Sequence, residues 1–151
     1  MPLTIPVEKP VGKCATRDVR ISAYENWQKL HWQAIETAYN SSPFLEFYRD
    51  DFLPFYKKKW NFLFDFNTEI QQMILGLLDL ETDIHFTEKY ETQLPDGVED
   101  WREMISPKKT TDYKAQKYYQ IFEQKFGFLP NLSIVDLLFN TGNEAILVLK
   151  K

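Results

Sequence analysis

The chain has 151 residues, 44% hydrophobic and 26% charged, with a net charge of −4 at neutral pH. That is the length of one domain, able to bury roughly 70% of its unfolded surface, and the acidic balance disfavours a nucleic-acid-binding surface. Cys14 is the lone cysteine and closes no intramolecular disulfide, and with only His31 and His85 beside it there is no credible zinc-ligand set.

Leu3, Ile5 and Val7 alternate at the start of the chain, and Val19 and Ile21 alternate against Asp18 and Arg20, which predicts two strands paired as a hairpin around Gly12. Pro2, Pro6 and Pro10 lack backbone donors, so the first strand is an edge strand. An edge without a neighbour is a route by which two copies associate. A strand pattern directly after the first methionine also leads to the expectation that sequence is missing upstream. No basic stretch followed by an apolar run opens the chain, and the segment MILGLL falls far short of the ~20 residues of a membrane span, so the expected compartment is the cytoplasm.

Ser22 and Glu25 form a capping box ahead of a helix whose apolar face carries Trp27, Leu30, His31, Ala34, Ile35 and Ala38. Asn40 to Pro43 stops it and starts a second helix, with Ser42 as cap and Pro43 at the first position, striped by Phe44, Phe47, Tyr48 and Phe52. Pro54 interrupts that helix. An aromatic-dense third segment follows from Phe55 to Phe66, and Asn67 caps a fourth helix bearing Ile70, Met73, Ile74, Leu77 and Leu78. Ile84 and Phe86 alternate with His85 and Thr87 as a short strand. Residues 92–97 form a loop, Trp101 to Ile105 a helical turn or two before Pro107, and Lys108 to Lys114 an exposed polar loop. Tyr118, Tyr119, Phe122 and Phe126 mark a helix ended by Gly127, and Asn131 caps a very apolar helix that Gly142 ends. Ala145 to Leu149 reads equally as strand or helix. These elements make an α+β fold, a helix-dominated single domain over residues 1–151 with a small antiparallel sheet from the N-terminal hairpin.

Two residues point to chemistry. His31 lies in the apolar face of the first helix, where burial lowers its pKa and keeps the imidazole neutral, as a general base requires. The plainer alternative is a core histidine bonded to a backbone carbonyl. Asp136 lies inside LSIVDLLFN, where an unpaired carboxylate is costly, so it needs a cationic or hydrogen-bonding partner, with Arg17 or Arg20 as candidates. Its role is catalytic or substrate-orienting in one reading and a structural ion pair in the other. Asn140 near the same helix's end caps it. Tyr118 and Tyr119 with Lys114 and Lys117 offer a substrate-facing wall, and Lys108 and Lys109 offer point charges to a phosphate. No glycine-rich phosphate loop, GxSxG elbow, HExxH or paired CxxC occurs, and no cofactor is expected.

Three blocks carry a family resemblance: LTIPVEKP (Leu3 to Pro10), NWQKLHWQAIETAYNSSPFLEFY (Asn26 to Tyr48) and KYYQIFEQKFGFLPNLSIVDLLFNTG (Lys117 to Gly142). In this order and spacing they resemble the WbqC-like family, FGFLPNLSIVDLLFN most specifically. The resemblance implies a connection with O-antigen and other surface-polysaccharide clusters and, for some members, a glycine-transferase role. It also implies a further N-terminal segment upstream of Leu3. His31, Trp32, Pro43, Phe44, Tyr119, Gly127, Ser133, Asp136 and Asn140 occupy its signature positions. For this chain it implies a transferase moving an aminoacyl group, glycyl in the simplest case, onto a sugar or nucleotide-linked sugar. His31 and Asp136 are then the expected catalytic residues, with Tyr119, Asn140, Arg20 and Lys108 at the substrate. The alternatives are a non-catalytic glycan- or partner-binding module, in which some of the 12 Phe, 8 Tyr and 4 Trp rings stack on sugars, and an inactive fragment of the family.

Overall fold

Trp27, His31 and Ile35, each four residues apart, are buried along one face of α1 (Trp27–Tyr39), as residues one turn apart on a helix must be. Leu30, which the periodicity puts on that face, is exposed, and Trp32 is buried beside it. The computed structural model describes residues 3–23, 26–102 and 115–150. Further helices among these residues are α2 (Leu45–Lys57), α3 (Leu63–Leu77), α4 (Glu123–Phe126), α5 (Ile134–Thr141) and α6 (Ala145–Leu149), with 3-10 turns at Thr16–Asp18 and Gly142–Glu144. The chain divides into two compact units, Met1–Glu81 with Gln116–Lys151, and Thr82–Ala115.

In the first unit, Leu45, Tyr48 and Phe52 of α2 meet Leu137, Leu138 and Phe139 of α5, with Trp32, Ile35, Leu78 and Ala145 closing the cluster. A second cluster gathers Ile21, Trp27, Trp60 and Phe66. Gly142 ends α5 at φ 59 with its amide donating to Leu138 O, and the ring of Phe44 lies where a Cβ on this residue would sit. In the second unit Arg102 organises the backbone locally, donating to the Asp100 carboxylate and the Glu91 carbonyl and lying over the Tyr90 ring.

The α+β expectation is corrected by this architecture, because the described residues contain no strand and the N-terminal hairpin is not a sheet. The alternation is real in burial only in the second segment, with Ile21 buried and Arg20 exposed, whereas Leu3 and Val7 of the first are exposed. Pairing stops at isolated antiparallel bridges, Val7 with Ile21 and Arg20 with Phe62. Pro6 and Pro10 withhold donors from the first segment, and Ile21 gives its amide to Asn61 O instead, so no ladder extends. Ile84 and Phe86 likewise lie in backbone without regular structure.

Several helix ends also differ. Pro54 sits inside α2 rather than interrupting it, since near the last turn its missing amide forfeits a single helical bond. Ser42 Oγ donates to Tyr39 O and so closes α1, and α2 begins only at Leu45. Asn67 lies within α3. Ser133, not Asn131, caps α5, its Oγ accepting from the Val135 amide, while Asn131 takes a left-handed φ of 57. Tyr118 and Tyr119 precede α4 in non-helical backbone, and Ala145–Leu149 is helical. Glu25, Glu103 to Ile105 and Lys108 to Lys114 lie outside the described residues. Among the described residues no helix is long and apolar enough to cross a membrane.

Candidate functional site

The Ser133 cap starts α5 in a register that turns Asp136 inward. Its side chain accepts two phenolic hydrogen bonds, from Tyr39 to Oδ1 at 2.9 Å and from Tyr118 to Oδ2 at 2.7 Å. Arg20 is elsewhere, over the Phe62 ring at 4.8 Å, and the hydrogen-bond donors to the Asp136 carboxylate are the neutral phenols of Tyr39 and Tyr118. A neutral donor satisfies a buried acceptor without desolvating a second charge. Burial first, and the Asp136 charge and hydrogen bond with it, push both phenols well above their ordinary pKa of 10. They therefore stay protonated as donors.

One turn on, Asn140 is equally committed. Its Nδ2 donates to Asp136 O at 2.8 Å and its Oδ1 accepts from the Ile121 amide at 3.1 Å. Gln120 holds the same segment to Leu129, donating to its carbonyl and accepting from its amide. These bonds fix the backbone that carries Tyr118 and Tyr119.

His31 is buried, 3.0 Å from the Thr4 carbonyl through Nε2. A carbonyl only accepts, so Nε2 carries the proton and Nδ1 the lone pair. Desolvation lowers the His31 pKa from 6.5, partly offset by the Thr4 bond. The rings of Trp27 and Tyr56 stand edge-on at 5.2 and 6.4 Å.

Two cavities flank Asp136. One, of about 580 Å³, is lined by His31, Tyr39, Tyr56 and Ser133 among apolar side chains. The other, of about 570 Å³, is walled by Phe44, Phe47 and Tyr119, with Lys117, Asn143 and Glu144 as polar groups. They share no lining residue, but Tyr39 belongs to the first, Tyr118 to the second, and Asp136 binds both.

Of the residues singled out from sequence, Tyr119 and Asn140 meet in the second cavity, Tyr119 exposed and Asn140 held by backbone. His31 stands in the first cavity and Asp136 between the two. Arg20 lines a smaller hollow with Glu8 and Asn61 and joins neither. Lys108 lies outside the described residues. Sequence reasoning missed Tyr39 and Tyr56. Tyr39 was within reach, since it follows His31 by two helical turns on one face of α1. Tyr56 carried no comparable signal.

The sequence profile of the WbqC-like protein family matches the chain over residues 1–106 and 99–148. No curated protein and no solved structure matches it.

Proposed function

Since the chain belongs to the WbqC-like protein family, we propose that it is a transferase of surface-polysaccharide assembly that adds an aminoacyl group, glycyl in the simplest case, to a sugar. The observation that carries the sugar half is the groove of Phe44, Phe47 and Tyr119. The exposed rings of Phe47 and Tyr119 offer flat apolar faces to the C–H side of a pyranose, and Lys117, Asn143 and Glu144 offer donors and acceptors to its hydroxyls.

His31 supports the catalytic half. In its neutral form Nδ1 takes the proton from the acceptor's amine or hydroxyl as that atom bonds to the aminoacyl carbonyl carbon. The acyl bond of the donor breaks with its electron pair on the leaving group, which takes the proton back. Condensation from a free carboxylate is uphill, so the donor arrives activated. Asp136 acts here as a positioning residue, holding Tyr39 in the wall of the His31 cavity.

His31→Gln tests the transferase directly: the variant keeps the parent's thermal midpoint within a few degrees and loses transfer, and full turnover by it removes His31 from the chemistry. A second reading, a non-catalytic glycan-binding module, is favoured by the separation of the groove from His31. It predicts sugar-induced quenching of tryptophan fluorescence with no product on long incubation.

A further inference from the structure

Tyr56, in the last turn of α2, lines the His31 cavity, and its hydroxyl makes no hydrogen bond among the described residues. Among those residues no fully buried side-chain oxygen or nitrogen is without a partner, so this hydroxyl opens onto accessible space. Of the other polar groups of the wall, Tyr39 donates to Asp136, Ser133 Oγ accepts from the Val135 amide, and His31 donates from Nε2 to Thr4 O while its Nδ1 lone pair stays available beside Tyr56. The rest of the described lining is apolar, including Leu3, Ile5, Ile35, Phe66 and Ile70, and among the described residues no Lys or Arg lines the cavity.

We infer that the His31 cavity takes a molecule with an apolar body and one neutral hydrogen-bonding head group, held by the Tyr56 hydroxyl beside His31. The apolar wall rewards burial of a hydrocarbon body. A carboxylate or phosphate head would lose its hydration there with no counter-charge in return. A free sugar, with hydroxyls on every side, would leave most of them unpaired. Within the transferase reading, on which this assignment of a role rests, the occupant is the apolar part of the activated donor, and only the acceptor's reacting amine or hydroxyl reaches His31.

The test uses 1-octanol as the probe, with the ring signals of His31 followed by NMR in the full chain. Octanol is expected to shift those signals saturably, and octanoate at pH 8 to leave them in place. Tyr56→Phe is expected to weaken octanol binding about fivefold, the effect of one lost hydrogen bond. Ala38→Leu, which narrows the cavity from α1, is expected to weaken octanol binding while the chain stays folded. The inference is overturned if octanol leaves His31 unmoved, if Tyr56→Phe binds as the parent does, or if octanoate binds as tightly as octanol. Binding is read without turnover, so octanol binding with no transfer would count against the transferase alone.

Discussion

The Tyr39 hydroxyl donates to Asp136 Oδ1 across 97 residues of sequence, tying the end of α1 to the first turn of α5. Tyr118 completes the arrangement from the other side at 2.7 Å. The carboxylate thus joins three chain segments and faces both cavities only through the phenols.

Removing the acceptor leaves two phenols without their shared partner. Asp136→Leu is expected to lose about 3 kcal/mol of stability, and Tyr118→Phe about 1.5–3 kcal/mol for one hydrogen bond to a charged group. Urea denaturation measures both. A loss below about 0.5 kcal/mol for Asp136→Leu, the scale of an ordinary surface change, would show that the clamp contributes little.

Alkaline pH is the next test. Burial pushes the Tyr56 phenol up to about 12, and Tyr39 and Tyr118 also stand well above 10. Below pH 10 these groups are protonated in both folded and unfolded chains, and their stabilisation is complete. Above 10 the unfolded chain releases protons that the folded chain retains, so stability falls as pH rises towards the folded values. Phenolate absorbance should therefore show a group of tyrosines that ionises only with unfolding. One uniform titration near 10 would contradict the burial of all three.

His31 acts at the other end of the scale. Its pKa is lowered in the folded chain, so its contribution is whole above 6.5 and is lost as pH falls below that value towards the folded one. His31→Gln should flatten this part of the stability curve, and an unchanged slope between pH 7 and 5 would assign the proton uptake to other groups.

Gly142 combines a φ of 59 with the Phe44 ring 2.6 Å from where a Cβ would stand. Gly142→Ala is expected to cost about 2–4 kcal/mol, from backbone strain and displacement of the ring. Phe44→Leu in that background should recover the contact part and leave the backbone part. Thermal denaturation of the single and double variants separates the two.

Helix signals on this chain were readable where they are local. The four-residue spacing of Trp27, His31 and Ile35 is a repeat of the helix itself, and Gly127 and Gly142 end α4 and α5 at positive φ. The strands were misread because alternation, which tracks burial at Ile21 but not at Leu3 and Val7, does not supply the successive donors a sheet needs, and Pro6 and Pro10 have none. The need of Asp136 for a partner was legible, because a buried carboxylate cannot stand alone. Its identity was not, since nothing local links Asp136 to a tyrosine 97 residues away. Arginines were the expected partners from charge, yet a phenol meets the same need without bringing a second charge into the core.

The central claim is aminoacyl transfer to a surface sugar with His31 as base. Its most direct measurement is the mass of the surface-polysaccharide repeat unit from the source organism with the gene intact, deleted, and carrying His31→Gln. Deletion and His31→Gln are both expected to lower the repeat mass by one glycyl residue. Repeat units of unchanged mass, made at normal yield in the deletion strain, would contradict it.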